Sequence, residues 1–464
     1  MDSKVERFFK DIVGKQIAFL GLGVSHNDCI RLFAQRGARV TVCDKREEAQ
    51  LPEAEALRAL GIKLRLGASY LQNLSDFDIV FRTPGMKYHL PELEEYRAQG
   101  GILTSEMEVF FDLCPCTVLA VTGSDGKTTT TTLIAEMLRT EGKTVHLGGN
   151  IGRALLPLIE TISPNDFAVV ELSSFQLISM RRSPQVAVVT NVEPNHLDMH
   201  KDMQEYIDAK RNVFLHQNAF SRTVLSGDNA TTLSFAQDVR GLCSFFSLQA
   251  PVENGAYLAE DGRLYYSTNG SRTAIMDKSL IRIPGIHNVA NYLAAISAVW
   301  GLVSLESIRL VAEEFGGVEH RIELVRELNG VRWYNDSIAT SPTRSIAGLR
   351  SFDRKIIMIA GGYDKKIPYE PLAPDIVKRV STLILTGVTG PKIEAAVCAH
   401  TDYAEGAPQI LHAENMDEAV RIASELATPG DIVSLCPASA SFDCYPNFEA
   451  RGRHFKELVK ALCQ

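Results

Sequence analysis

The chain has 464 residues, 45% hydrophobic and 22% charged, with a formal net charge of -8 at pH 7; that length holds about three domains of ~150 residues, and the acidic balance argues against a nucleic-acid binder. Nine cysteines are scattered without a Cys-x-x-Cys pair, and Cys114-Pro115-Cys116 is too tight for a zinc knuckle, so reduced, structural thiols are expected. Met1 to Glu6 lack an apolar leader core and no run approaches the ~18 apolar residues of a membrane span, so a cytoplasmic chain without membrane insertion is expected.

The first segment opens with a predicted strand at 16–20, then Gly21-Leu22-Gly23-Val24-Ser25-His26, a helix to about Arg36, and a second strand ending at Asp44. This is the order of a nucleotide-binding β-α-β unit, in which an acidic residue ~20 positions past the glycines can reach a ribose. His26 stands where a dinucleotide fingerprint has its third glycine. That weakens a dehydrogenase and leaves two alternatives, a nucleotide docked differently or a doubly wound fold with no ligand. A further strand, 79–82, runs into Thr83-Pro84-Gly85 at its carboxyl end, where ligands of such sheets sit.

The second segment starts near Glu106. An apolar strand at 117–121 leads into Thr122-Gly123-Ser124-Asp125-Gly126-Lys127-Thr128-Thr129, and a helix with apolar residues at helical spacing follows. The two glycines let the backbone turn so that N–H groups face phosphate oxygens, Lys127 adds a point charge, and Thr128 offers a hydroxyl to Mg²⁺. The spacing is a shorter variant of the Walker form. Strands predicted at 144–147, 167–172 and 186–190 each end in polar residues, namely Asn150, then Glu171 to Gln176, then Asn191, Asn195, His196 and Asp198. Lys210 falls in a helix at 203–215, where a solvated face is the ordinary reading. Asn288 and Asn291 open an apolar helix and suit either a helix cap or an adenine.

The third segment begins near Val318 and carries Glu319-His320-Arg321, Asn335-Asp336-Ser337 and strands at 356–360, 382–386 and 431–435. The expected fold is α/β: three consecutive α/β domains, the first Rossmann-like (1–105), the second a P-loop mononucleotide-binding sheet (106–317), the third Rossmann-like (318–464). Thr128 and Glu171 meet the oxygen-ligand demand of Mg²⁺, and no Asn-Lys-x-Asp motif supports a regulatory GTPase. Three such units suit an enzyme that joins two substrates at the expense of ATP.

In these motifs the chain resembles the Mur ligases of peptidoglycan synthesis, and within them the branch that adds D-glutamate. The resemblance runs from about Gly14 to the C-terminus. It rests on Gly123-Ser-Asp-Gly-Lys-Thr-Thr129, Gly148-Gly-Asn-Ile-Gly152, Glu171-Leu-Ser-Ser-Phe-Gln176, Asn195-His-Leu-Asp198, Gly285-Ile-His-Asn288 and His320-Arg321. Asn335-Asp-Ser337 with Ala339-Thr340, and Pro437-Ala-Ser-Ala-Ser441 with Asn447-Phe-Glu449, point to the D-glutamate branch.

The resemblance implies a monomer that uses ATP, two Mg²⁺ ions, UDP-N-acetylmuramoyl-L-alanine and D-glutamate, with an acyl-phosphate intermediate. It places Gly123 to Thr129, Asn288, Arg321 and Asp336 on ATP, with Lys127, His196 and Lys210 as catalytic residues. Thr128 and Glu171 serve one Mg²⁺; His196 and a carbamylated Lys210 serve the second. Gly21, Gly23, Val24, Ser25, Asp44, Lys45, Arg46, Thr83, Pro84 and Gly85 take the uridine diphosphate. Asn150, Ser173 and His196 take the muramoyl-alanine end, and Thr340, Lys365, Ser441 and Phe448 the glutamate. Asp125 stands where the family usually has Asn, and Ile338 where many relatives have Lys, with Arg344 a candidate replacement for that cation. The alternatives are a sister ligase, a folylpolyglutamate synthase, a dehydrogenase and a silent nucleotide-binding regulator.

Overall fold

The computed structural model describes residues 3–194 and 199–463. Three sheets follow one another along the chain. The first contains β1 (Gln16–Leu20), β2 (Arg39–Asp44), β3 (Lys63–Leu66), β4 (Ile79–Arg82) and β5 (Ile102–Thr104), all parallel, in the order β3-β2-β1-β4-β5. The continuous burial of β1 from Ile17 and of β2 from Val40 is that of strands covered on both faces.

The second sheet comprises β6 (Thr117–Thr122), β7 (Val145–Gly149), β8 (Phe167–Glu171), β9 (Val186–Val189), β10 (Arg222–Ser226), β11 (Leu242–Ser247), β12 (Gly255–Leu258), β13 (Arg263–Thr268) and β14 (Ser271–Asp277). Their order is β14-β13-β12-β11-β10-β9-β6-β8-β7. The run from β7 to β12 is parallel, and β12 to β14 form an antiparallel edge. The sequence reading lacks that edge. Its signals were Asp261-Gly262 and Asn269-Gly270, dipeptides of tight hairpin turns, with Asn269 and Gly270 both at positive φ.

The third sheet holds β15 (Glu323–Leu328), β16 (Val331–Asn335), β17 (Ile356–Gly361), β18 (Val380–Thr386), β19 (Gln409–His412) and β20 (Ile432–Leu435), in the order β15-β16-β20-β17-β18-β19. Only β15 runs antiparallel to its neighbour. Apolar clusters cover both faces, one around Met358 and Leu383, the other around Ile359 and Phe455.

The chain packs as two compact units, Met1–Lys278 with Ala290–Val311, and Ser279–Val289 with Ala312–Gln464. Within the first unit one apolar core runs from Phe19 and Phe33 of the first sheet region to Val118 and Leu155 of the second. Among the described residues no helix is long and apolar enough to cross a membrane.

Candidate active site

The phosphate loop sits at the carboxyl end of β6, between the ends of β8 and β9, because β6 pairs with both. Its glycines are required by the backbone. Gly126 has φ +77° and Gly123 φ +149°, and a Cβ on either would lie 2.4 Å from Asn291 Oδ1 or 1.9 Å from Thr190 Oγ1.

The end of β9 braces the loop. Asn191 Oδ1 accepts the N–H groups of Ser124 (3.1 Å) and Asp125 (2.9 Å), and Thr190 Oγ1 donates to the Asp125 carbonyl at 2.6 Å. The backbone of Asp125 is thus fixed while its side chain faces solvent. Ser124 Oγ donates to the Glu193 carbonyl and lies 2.9 Å from the Tyr206 hydroxyl. Lys127, first residue of the helix Lys127–Thr140, folds back so that Nζ donates to the Ser124 carbonyl at 2.9 Å.

Thr128 and Glu171 come together as the sequence suggests. Thr128 Oγ1 donates to Glu171 Oε2 at 2.7 Å, and Asn150 Nδ2 donates to Oε1 at 2.7 Å. Glu171 is buried, and Gly149, at φ +96°, lets the β7 turn approach so closely that a Cβ would lie 2.3 Å from the Glu171 carbonyl. Hydroxyl and carboxylate oxygens beside a phosphate loop are hard donors of the kind Mg²⁺ prefers. Ser173 follows as the N-cap of a short helix, in a capping box with Gln176.

Lys210 departs from the solvated-face reading. It is 1% exposed on the helix Met203–Leu215, its Nζ donates to the Gly123 carbonyl at 2.7 Å, and it lies over the Tyr206 ring at 4.6 Å. Burial, followed by the nearby charge of Lys127, holds its pKa well below the usual lysine value. His196, with Asn195 and Asp198, lies outside the described residues. Among the described residues no group of three or more His, Cys, Asp or Glu is arranged as a metal site.

In the first sheet, β2, β1 and β4 are neighbours, so Asp44, Gly21 and Thr83 converge. Asp44 accepts the Leu22 N–H at 2.8 Å and three Arg46 donors, two from the guanidinium and one from the backbone. Burial raises its pKa, but these hydrogen bonds outweigh it and bring the carboxyl down to about 2. A Cβ at Gly21, φ +86°, would meet Thr83 Cγ2 at 3.0 Å. Gly23 caps the helix that Val24 and Ser25 open, Lys45 is exposed, and Pro84 and Gly85 continue the turn after β4. The His26 ring is buried, with Nδ1 2.9 Å from the Gly21 carbonyl and the ring edge-on to Phe19. Burial lowers its pKa to about 4, so at neutral pH it is an uncharged brace beneath the turn.

In the second unit, Asn288 is the third residue of the helix Ile286–Val299, and its Nδ2 donates to the Pro284 carbonyl at 2.6 Å. Arg321 lies between two residues of left-handed backbone, His320 (φ +64°) and Ile322 (φ +44°); the second, being β-branched, is strained. Asp336 accepts the Ile322 N–H at 3.2 Å, and full burial raises its pKa to about 7. Arg344 Nη1 donates to the Ile338 carbonyl at 3.2 Å.

Arg451 links the segments that carry Thr340, Ser441 and Phe448. Its buried guanidinium donates to Ser337 Oγ and carbonyl and to the carbonyls of Ser439 and Ala440, while Ser337 Oγ donates to the Phe448 carbonyl. The segments carrying Thr340, Ser441 and Phe448 are thereby tied together. Lys365 stands exposed in the loop after β17. The sequence reading missed Arg451, Tyr206 and Thr190, and for Arg451 no sequence signal exists, since a buried arginine is written like an exposed one.

Family profiles match along the chain: the Mur ligase MurD-like N-terminal domain at 15–104, the Mur ligase middle domain at 121–299, and the Mur ligase glutamate ligase domain at 320–439. The chain is 51% identical to a UDP-N-acetylmuramoylalanine--D-glutamate ligase of Acetivibrio thermocellus over 100% of both chains. It is 48% identical to the protein of that name in Ruminiclostridium cellulolyticum, again over 100% of both. Among solved structures, the UDP-N-acetylmuramate-alanine ligase MurC of Thermotoga maritima superposes with a TM-score of 0.57 at 18% identity, covering 96% of this chain and 99% of that one. A UDP-N-acetylmuramoyl-L-alanyl-D-glutamate--2,6-diaminopimelate ligase gives 0.55 at 19%, covering 92% and 87%. The likeness to the solved structures carries the three-domain α/β fold; with the profiles and the full-length identities, it follows that the chain belongs to the Mur ligase family.

Proposed function

We infer that the chain is an ATP-dependent ligase that joins D-glutamate to UDP-N-acetylmuramoyl-L-alanine in the cytoplasm, acting as a monomer with domains at 1–105, 106–317 and 318–464. The observation that carries this is the cluster of Lys127, Thr128, Glu171 and Asn150 at the phosphate loop. A carboxylate is a poor electrophile and its oxygen a poor leaving group. Transfer of the γ-phosphoryl of ATP to a carboxylate oxygen corrects both and releases ADP. The amine of D-glutamate then attacks the acyl carbon, the C–O bond to phosphate breaks, the nitrogen loses a proton, and an amide and phosphate result.

The protein's part is positioning and charge. Lys127 and the loop from Gly123 to Thr129 hold the phosphates, while Asn288, Arg321 and Asp336 serve the nucleotide. Thr128 and Glu171 would hold one Mg²⁺, whose charge would neutralise the crowded phosphate oxygens. Gly21 to Ser25, Asp44 to Arg46 and Thr83 to Gly85 take the uridine diphosphate, with Asn150, Ser173 and His196 at the carboxyl end. Thr340, Lys365, Ser441 and Phe448 take D-glutamate, Lys365 pairing with a carboxylate.

Lys210 has a second part. Its depressed pKa favours the neutral amine, the form that adds CO₂. The neutral amine would form a new N–C bond to CO₂ and lose one proton, giving an anionic carbamate whose oxygens, with His196, would serve a second Mg²⁺. Phosphate release from ATP and UDP-N-acetylmuramoyl-L-alanine, measured against a panel of amino acids, tests the whole reading. D-Glutamate alone should support release; release with L-alanine or L-lysine instead would make this a sister ligase.

A further inference from the structure

We propose that Arg82 is a positioning residue that holds the turn for the nucleotide half of the substrate in register with the turn for its carboxyl half, which rests on the substrate reading above. Arg82 ends β4 and is 1% exposed. Its hydrogen-bond acceptors are backbone carbonyls. Nη1 donates to Met86 at 2.7 Å and, more weakly, to Thr83 at 3.3 Å and Pro84 at 3.4 Å; Nη2 donates to Phe175 at 2.6 Å. Burial lowers the guanidinium pKa to about 10 against the opposing pull of the Glu108 charge. Taking a charge out of water is costly unless hydrogen bonds replace those lost. Here they come from two segments 93 residues apart, both within the first compact unit.

One nitrogen therefore grips the Thr83-Pro84-Gly85 turn, and the other grips the segment that Ser173 caps. A second tie joins the same two regions. His89, in the loop that Arg82 opens, places Nε2 2.9 Å from Glu205 Oε1. His200 reaches Glu205 Oε2 at 3.3 Å and Ser174 Oγ at 2.8 Å, and its ring stacks on Phe175 with centroids 5.5 Å apart. The contacts close a circuit from Arg82 through Phe175, His200, Glu205 and His89 back to the loop after β4. Glu205 stands on the helix that carries Lys210. A ligand spanning both turns must match the separation this circuit sets; a fragment touching only the first turn need not.

The test compares R82M, which removes the donors, and R82K, which keeps a cation but cannot bridge both segments. Titration calorimetry would use uridine diphosphate alone and UDP-N-acetylmuramoyl-L-alanine, with backbone amide exchange read alongside. Expected are affinities for uridine diphosphate within about twofold of the unaltered protein, at least about tenfold weaker binding of the whole substrate, and faster exchange at 173–179 with the third sheet unchanged. Equal losses for both ligands, or none for either, would overturn the proposal, as would unchanged exchange at 173–179. If the unaltered protein takes up neither ligand, the substrate reading falls, and the exchange comparison still decides whether Arg82 couples the two turns. Should R82M fail to fold, R82K carries both measurements.

Discussion

The Nζ of Lys210 lies 2.7 Å from the carbonyl oxygen of Gly123, so the buried lysine of one helix is fastened to the first glycine of the loop that presents Lys127. Two lysines thus share a small volume, and each lies within the field of the other. Replacing Lys210 with alanine should abolish phosphate release, by at least about a hundredfold, while leaving the circular dichroism and melting temperature nearly unchanged. Small carboxylic acids should restore part of the activity by supplying the missing oxygens. Full activity in the variant would remove Lys210 from the reaction.

Gly126→Ala strains the loop twice over. Its φ of +77° costs an L-residue about 1–2 kcal/mol, and its Cβ would lie 2.4 Å from Asn291 Oδ1. Calorimetry with ATP should show at least tenfold weaker binding, about 1.4 kcal/mol, and thermal melts a modest drop. Unaltered affinity would show that the turn relaxes without cost.

Thr128→Val keeps the shape of the side chain and deletes the hydroxyl that meets Glu171 Oε2. Activity should then demand more Mg²⁺, seen as a rise in the half-saturating concentration, and EDTA should stop phosphate release in the unaltered enzyme. A Mg²⁺ profile identical to that of the parent would exclude Thr128 from the metal site.

Glu106 offers a pH test away from the site. Burial raises its pKa from 4.5 to about 7, although Oε1 accepts the N–H groups of Leu155 and Leu156. Between pH 4.5 and 7 the folded chain keeps a proton that the unfolded chain releases, so this group makes stability fall as pH rises through that window. Above pH 7 the cost reaches about 3 kcal/mol. Glu106→Gln retains the accepting oxygen and cannot ionise. Urea unfolding at pH 5 and pH 8 should therefore show a smaller difference in the variant than in the parent.

The phosphate loop was legible because its determinants are local: a β-branched strand, two glycines and a Lys-Thr pair within a few residues. Glu171 and Asn150 were legible as strand ends, since polar residues there have few other uses. The burial of Lys210, Arg82 and Arg451 was not, because a long cationic side chain declares its environment only once the fold has closed around it. In the sequence His26 breaks a glycine fingerprint, whereas in the structure it is a neutral brace under Gly21. The braces at Thr190 and Asn191 depend on β9 lying beside β6, a strand order that spacing along the chain does not reveal.

Val121 stands opposite Glu171 in the ladder between β6 and β8. Side chains alternate faces along a strand, so a slip of one residue would turn the carboxylate away from the threonine it meets. The position of the Glu171 carboxylate is accordingly set by backbone hydrogen bonding between β6 and β8, while Thr128 reaches it from the helix beyond the phosphate loop. Exchanging the group at position 128 should alter ion preference with little loss of fold, whereas changes that disturb the ladder between β6 and β8 should displace Glu171 itself.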